Sequence, residues 1–235
     1  MNSTEQLTWY IKNSIPCMFV KYGDGEFNAA NLYEGWNCDG TPYTQFLGTK
    51  IRESFIYNSA QKNAMMACWH DLSNISFWEG LSASAAWADY HTVLIDGKES
   101  TTCANYKLEL YKSIKESTRK KIYVSNSANY RVCDILSVDA FIDIDPVNWF
   151  ETEYDSVVES VKAEMNGPDC IVILSAGMGA KPLISDLHKA FPSGIYIDAG
   201  SAFDMICRRK ATRCYSPPYA ELREFLRPIL PDSWV

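Results

Sequence analysis

Hydrophobic positions along the chain follow two alternating patterns. Short, nearly continuous apolar runs are typical of strands that are buried on both faces of a sheet. These runs lie at 17–22, 122–125, 140–144, 170–174 and 194–198. Between them, apolar residues recur every three or four positions, which is the spacing of an amphipathic helix. The helical stretches cover about 4–14, 43–66, 77–90, 106–117, 130–136, 152–165 and 181–190.

This alternation of strands and helices predicts the fold class. Parallel strands that are connected by helices need a cover on both faces of their sheet. We therefore expect an α/β fold, Rossmann-like and doubly wound, with a mostly parallel sheet and helices on both faces. Two further short strands are expected at 67–69 and 92–95.

A single domain accounts for the chain. Residues 1–235 have the length of one large α/β domain, and no internal repeat divides them. The segment from about residue 215 is rich in proline, with Pro217, Pro218, Pro228 and Pro231. Because proline interrupts helices, we expect this tail to pack as an extended cap.

Charge and composition narrow the range of partners. The formal net charge is −7 at pH 7, so we expect no broad basic surface for a nucleic acid. A phosphorylated small molecule remains compatible, because helix N-termini, glycine-rich turns and bound cations supply local positive potential. No apolar run reaches the roughly 18 residues of a membrane span, and the chain begins without a basic, apolar leader. We expect a cytoplasmic protein with no transmembrane segment, and the sequence indicates no particular oligomeric state.

The eight cysteines are scattered along the chain without a Cys-x-x-Cys pair. Several lie inside apolar runs, as Cys17 does. This pattern is typical of buried free thiols rather than of disulfides or a metal site.

The residues that follow three predicted strands are the first candidates for a site, since ligands bind beyond the carboxyl ends of parallel strands. The three segments are Lys21 to Phe27, Ser175 to Lys181 and Asp198 to Asp204. In the first, Asp24 and Glu26 lie two residues apart. An extended backbone would place both carboxylates on one side, where they could share a hard cation with a diphosphate. A solvated surface turn is the alternative, because Asp-Gly is a common turn signal.

The other two segments carry further candidates. Gly177 and Gly179, between a buried strand and a helix, resemble a phosphate-cradling turn, and tight packing of the strand against the helix explains them equally well. Asp198 and Asp204 are candidates for binding a sugar hydroxyl or for acting as a general base. The alternative for Asp204 is an ordinary place at the N-terminus of a helix.

One segment resembles a known family. The sequence Lys-Tyr-Gly-Asp-Gly-Glu-Phe at 21–27 resembles the Asp-x-Glu motif of the GT-D fold glycosyltransferases. The segments 142–150, 171–181 and 195–204 are similar in order and spacing to the C-terminal half of that family. The similarity covers most of the chain and is loose over about 35–115. A Gly-x-Gly turn stands here where the family has a Gly-Pro-Thr-like sequence.

The resemblance implies a metal-dependent glycosyltransferase that moves a sugar from a nucleotide-sugar donor, UDP-linked in that family, to a saccharide or glycan acceptor. It implies that Asp24 and Glu26 bind a divalent cation, Mn²⁺ or Mg²⁺, and through it the diphosphate. Asp198 matches an Asp-x-Gly segment of the family. The residues that we expect to contact the donor beside these are Tyr22, Gly23, Gly25, Ser175, Gly177, Gly179 and Gly200.

Position along the chain adds three expected donor contacts. Ser125, the last residue of the run 122–125, and Asn126 and Arg131 come after the apolar part of this strand at 122–124. The Arg131 guanidinium would offset phosphate charge.

Two other functions remain open. A metal-dependent hydrolase of a nucleotide-sugar or phosphoester would use the same turn, although such sites generally need more carboxylate or histidine ligands. A non-catalytic nucleotide-binding or saccharide-binding module would use the same fold, with Trp36, Trp69 and Trp78 as candidate saccharide contacts. Cleavage without an acceptor would indicate the first, and binding without turnover would indicate the second.

Overall fold

A seven-stranded sheet forms the centre of the protein. The computed structural model describes residues 1–68, 72–97, 101–165, 167 and 169–234. The strands are β1 (Cys17–Tyr22), β2 (Ala64–Cys68), β3 (Trp87–Ala88), β4 (Lys120–Ser125), β5 (Ala140–Asp143), β6 (Cys170–Ser175) and β7 (Ile195–Asp198). They lie in the order β3-β2-β1-β7-β6-β4-β5, and each neighbouring pair is parallel.

Helices cover both faces of this sheet. They are α1 (Ser3–Lys12), α2 (Asp24–Ala30), α3 (Gln45–Ser59), α4 (Leu72–Leu81), α5 (Thr101–Glu116), α6 (Val132–Leu136), α7 (Trp149–Thr152), α8 (Tyr154–Met165), α9 (Ala180–Ala190), α10 (Asp204–Arg208) and α11 (Tyr219–Leu226). One core cluster packs α3, α8 and α9 against one face, and a second packs α1, α5 and α11 against the other. The predicted doubly wound α/β fold is confirmed.

The central strands are apolar throughout because both of their faces are covered. In β1, Met18 and Val20 belong to one core cluster, whereas Cys17 and Phe19 belong to the other. Successive side chains of a strand point to opposite faces, so a strand between two helical layers needs apolar residues at every position. Each fully buried side chain of this size contributes about 1.5–3 kcal/mol to the stability of the fold.

The strand predicted at 92–95 is wrong. Residues 92 and 93 belong to a turn and residues 94 and 95 are irregular, and Leu94 N donates to His91 O at 2.9 Å. The segment is nevertheless largely buried, and Leu94 O accepts a hydrogen bond from Lys107 Nζ at 2.8 Å. The apolar residues at 92–95 are therefore explained by burial beneath α5 and not by a position in the sheet.

The helix predicted over 77–90 is wrong in its second half. α4 ends at Leu81, and Trp87 pairs with Met66 as part of the two-residue strand β3. The short strand expected at 67–69 is the end of β2, and Trp69 lies outside the described residues.

The proline-rich tail is partly helical instead of extended. Its helix α11 begins directly after Pro218, where a missing N–H costs nothing, and contains no proline. Leu222 and Leu226, one turn apart, are each 2% exposed and pack into the second core cluster. The remaining prolines of the tail lie outside this helix.

The cysteines are all free, as expected. The prediction of burial is confirmed for Cys17, Cys68, Cys170 and Cys207 and is wrong for Cys38, Cys103 and Cys214, which are exposed. None of the helices in the described part of the chain has the length and apolarity that a membrane crossing requires.

Candidate functional site

Three charged side chains meet where β1, β6 and β7 end. The Nζ of Lys181 lies 2.5 Å from Glu26 Oε1 and 3.0 Å from Asp198 Oδ2. Glu26 is on the helix after β1, Lys181 is on the helix after β6, and Asp198 is the last residue of β7. All three are buried. The three segments that follow these strands therefore converge on one group of charges, which we name the Lys181 cluster (Glu26, Lys181 and Asp198).

Glu26 belongs to the first turn of α2 rather than to an extended segment. Its Oε2 accepts a hydrogen bond from Gly23 N at 2.8 Å, as the acid of a capping box does. Asp24 is the first residue of the same helix and is exposed. Residues two apart on a helix do not face each other. The expectation that an extended backbone presents both carboxylates to one side is wrong.

The Lys181 ammonium uses its donors inside the protein. Besides the two carboxylates, it donates to Gly177 O at 3.1 Å, which accounts for the three N–H groups of an ammonium. Burial would lower the pKa of Lys181, but the Asp198 and Glu26 carboxylates outweigh it and raise that pKa above its ordinary value. Lys181 therefore remains charged and joins α2, α9 and β7.

Lys21 is a second buried cation beside the cluster. Its backbone N donates to Asp198 Oδ2 at 3.1 Å, and its Nζ donates to Ala199 O at 3.3 Å and lies 5.2 Å from the centroid of the Tyr90 ring. Burial lowers the pKa of Lys21 to about 8, although Asp198 opposes the change. Gly200 has φ +52°, a left-handed conformation that favours glycine, and a Cβ there would also meet Lys21 Nζ.

The segment 33–43 covers the mouth of the site. A Cβ on Gly25 would lie 2.6 Å from Asn37 Oδ1, and a Cβ on Gly177 would lie 3.2 Å from Asp39 Oδ2. Gly177 also has φ +58° and is exposed. Both glycines thus allow this segment to approach the turns that follow β1 and β6.

Neither aspartate that we predicted to be catalytic presents a free carboxylate to solvent. Asp198 is 0% exposed, and its Oδ1 has no hydrogen-bond partner among the described residues. Asp204 is 9% exposed; its Oδ1 accepts from Asn129 Nδ2 at 3.0 Å and its Oδ2 accepts from Thr212 Oγ1 at 2.7 Å. Asp204 is also the first residue of α10, which is the alternative role that the sequence allowed. This geometry indicates that Asp198 and Asp204 hold neighbouring groups in place and do not act on the substrate directly.

The three donor contacts expected after β4 have different surroundings. Ser125 is 0% exposed. Asn126 is half-buried, and its Oδ1 accepts a hydrogen bond from Arg208 Nη2 at 3.1 Å. The Arg131 guanidinium lies 4.7 Å from the centroid of the Trp234 ring, so its charge faces the C-terminal segment. Asn126 alone among the three lies at an open recess, of about 490 Å³, at the ends of β4 and β5.

Two other predicted donor contacts belong to the core. Tyr22 is 1% exposed, and its Oη lies 3.3 Å from Ser54 Oγ. Gly179 is buried, and a Cβ there would overlap the Trp149 ring, so tight packing explains it. Ser175 is half-buried at the carboxyl end of β6 and stays a candidate contact.

The residues of the Lys181 cluster do not fit a metal site that uses Glu26. Both Glu26 oxygens have partners, and Asp198 Oδ2 is held by Lys21 and Lys181. Asp198 Oδ1 has no hydrogen-bond partner among the described residues but is fully buried, so the exposed Asp24 is the carboxylate that a ligand can reach from solvent. Within the described residues, no group of three His, Cys, Asp or Glu side chains is arranged to hold a metal ion. Two buried lysines already balance the charge of the two buried carboxylates.

Lys21, Lys181 and the half-buried Arg213 are site residues that the sequence analysis missed. A lysine inside the apolar run 17–22 and a second in the first turn of the helix after a glycine turn were signals of buried charge. Arg213 gave no such signal, since it lies in an irregular segment near the C-terminus.

Comparison with known proteins reveals similarity in structure only. No protein-family model matches the chain, and no curated protein matches it. A selenomethionine-substituted structure of domain of unknown function 1792 superposes with a TM-score of 0.62 at 16% identity, covering 86% of this chain and 79% of the other. A second structure, at TM-score 0.61 and 17% identity with the same coverage, is described as the highly conserved domain of unknown function 1792, with a distinct glycosyltransferase fold. At these identities the similarity shows the fold alone.

Proposed function

We propose that this chain is a glycosyltransferase that binds a nucleotide-sugar donor at the carboxyl ends of β1, β6 and β7. The observation that carries the proposal is the Lys181 cluster, a buried and internally paired group of charges at the edge where α/β sheets bind ligands. Perturbed titratable groups concentrate at functional sites. The similarity to a structure with a glycosyltransferase fold supports the same reaction class.

In this proposal the Lys181 cluster positions the site and the exposed groups around it touch the substrate. Lys181 fixes the start of α2, the Gly177 turn and the end of β7 in one arrangement. The groups at the mouth are the Asp24 carboxylate and the backbone of Gly177, which are both exposed. A prearranged site of this kind lowers the cost of orienting the donor for attack by an acceptor hydroxyl.

The rim of the site supports a saccharide or glycan acceptor. On the covering segment 33–43, the side chains of Trp36 and Tyr33 are 75% and 53% exposed. Aromatic rings with one open face suit the apolar faces of sugars, and their polar edges suit hydroxyl groups. The recess lined by Asn126 and Asp143 adds hydrogen-bonding groups at the same edge of the sheet. For the donor we propose a UDP-linked sugar, which rests on the resemblance at 21–27.

Turnover of nucleotide-sugars tests this function. The purified protein is incubated with UDP-glucose, UDP-galactose, UDP-N-acetylglucosamine and GDP-mannose, with a saccharide mixture, and with either EDTA or Mn²⁺. Mass spectrometry then detects the glycosylated product and the released nucleoside diphosphate. We expect a product with one donor, and Asp24→Asn should lower the rate at least about tenfold, or about 1.4 kcal/mol in transition-state stabilisation.

A control variant separates this effect from a general loss of charge. Asp134→Asn changes an exposed aspartate on α6 that is not part of the Lys181 cluster, and it should leave the rate unchanged. Release of the nucleotide without a glycosylated product would indicate a hydrolase. Binding of the donor without any turnover would indicate a binding module, and in either case the proposed transfer is wrong.

A further inference from the structure

A cation that belongs to none of the predicted motifs lies at the mouth of the site. Arg213 is half-buried in the segment between α10 and α11. On one side of it, Thr212 Oγ1 donates to Asp204 Oδ2 at 2.7 Å. On the other side, Tyr215 Oη lies 3.3 Å from Ser201 Oγ. The segment is thus fastened, on both sides of Arg213, to the loop and helix that follow β7.

The surroundings of Arg213 connect the covering segment with the floor of the site. Burial would lower the pKa of Arg213, whereas nearby Cys38, Tyr215 and Asp204 raise it above its ordinary value. Cys38 lies on the covering segment 33–43, and the Arg213 charge in turn lowers the pKa of Lys21. The Arg213 charge is therefore near enough to influence both the covering segment and the buried Lys21.

Arg213 has accessible hydrogen-bond donors for a ligand, whereas the donors of Lys181 are used and Lys21 is buried. Its Nη1 donates to Thr212 O at 2.8 Å, and its Nε and Nη2 form no hydrogen bond within the described residues. Lys181 has used its three donors, and Lys21 is 2% exposed. A half-buried guanidinium with an open fork suits a phosphate group, because it can donate two parallel hydrogen bonds.

Building on the proposed function, we propose that Arg213 receives the diphosphate of the donor and that this binding needs no divalent cation. The Glu26 oxygens that would coordinate a metal are held by Lys181 Nζ and Gly23 N. A cation that took their place would have to displace a buried ammonium whose charge is already balanced. The negative charge of the diphosphate then meets the Arg213 guanidinium directly.

Calorimetric titration of UDP and GDP tests this proposal with wild-type protein, Arg213→Gln, Arg213→Lys and Lys210→Gln, each in EDTA and in Mn²⁺. Lys210 is an exposed cation of the same segment, so its variant makes the same change of charge. We expect the wild type to bind one nucleotide with a Kd that agrees within about twofold in the two buffers. Arg213→Gln should weaken binding at least about tenfold, Arg213→Lys should weaken it less, and Lys210→Gln should bind like the wild type. Equal melting temperatures show that the variants fold.

Three other results of this titration would each contradict a different part of the two proposals. Binding that is lost in EDTA and restored by Mn²⁺ would overturn the metal-independent site while leaving the proposed transferase intact. Binding in EDTA that Arg213→Gln leaves unchanged would overturn the role of Arg213. Failure of both nucleotides to bind in both buffers, together with no turnover of any nucleotide-sugar, would reject the proposed function and this inference with it.

Discussion

The Nζ of Lys181 lies 2.5 Å from Glu26 Oε1, with both side chains at most one-tenth exposed. The same ammonium holds Asp198, so Lys181 contacts both buried carboxylates, while the second buried lysine, Lys21, lies beside Asp198. A buried ion pair adds little net stability relative to an apolar pair of similar size, but loss of one partner leaves the other charge unpaired. The cluster therefore depends more on Lys181 than on either acid.

Substitution of Lys181 by methionine should destabilise the protein strongly. We expect Lys181→Met to lower the free energy of unfolding by about 3–5 kcal/mol, because Glu26 loses its ion-pair partner and Lys21 alone remains beside Asp198. Urea denaturation measures the change. The control is Lys189→Met on the same helix, whose ammonium is paired with Asp186 at the surface and should contribute at most about 1 kcal/mol. Similar small losses for both variants would mean that the cluster is not a buried ion pair in solution.

Two glycines provide a matched pair for testing close packing. A Cβ on Gly179 would overlap the Trp149 ring, so Gly179→Ala should destabilise by about 1–3 kcal/mol. Gly80 lies in α4 with nothing within 4 Å of its Cβ position, so Gly80→Ala should stabilise by about 0.5–1 kcal/mol. Thermal unfolding of both variants checks the opposite signs. If Gly179→Ala left the stability unchanged, the turn after β6 would be able to shift and accommodate the Cβ.

The sequence predicts the sheet well where burial is complete. The runs at 17–22 and 170–174 are strands, because only a strand between two helical layers is apolar at every position over so few residues. β3 is not predicted, because a strand of two residues is too short to show a hydrophobic pattern. The largely buried, irregular segment at 92–95 has the sequence pattern of a strand, because an apolar run indicates burial and not a particular backbone conformation.

The candidate site is predictable only in part. The rule that ligands bind at carboxyl ends of parallel strands leads to the segments that carry Glu26 and Asp198. The ion pairs with Lys181 join residues that are far apart in the chain, and neither spacing nor composition shows them. The same holds for Arg213, whose place depends on contacts of Thr212 and Tyr215.

Lys21 should give the protein a pH-dependent stability. Its pKa is about 8 in the fold against an ordinary 10.5, so between these values the unfolded chain binds more protons. Its contribution is therefore fully present above 10.5 and is lost as pH falls through 8. We expect the free energy of unfolding of the wild type, relative to Lys21→Met, to rise by about 1–2 kcal/mol from about pH 7.5 to about pH 9.5. Urea denaturation at both pH values measures it, and the comparison cancels the tyrosines and cysteines that titrate there. If the difference in unfolding free energy between the wild type and Lys21→Met were the same at both pH values, the Lys21 amine would be hydrated in the fold.

The hydrogen bond from Thr212 to Asp204 should act on donor binding through Arg213. Both Thr212→Val and Asp204→Asn disturb this bond, so each should weaken UDP binding by about two- to fivefold, through a looser Arg213 segment. Because the two substitutions disturb the same interaction, the double variant should bind UDP no more weakly than the weaker-binding single variant. Calorimetry on the three variants measures this coupling. If Asp204 is instead a general base, Asp204→Asn would lower kcat by about 10²–10⁴-fold with UDP binding unchanged, and Thr212→Val would have little effect.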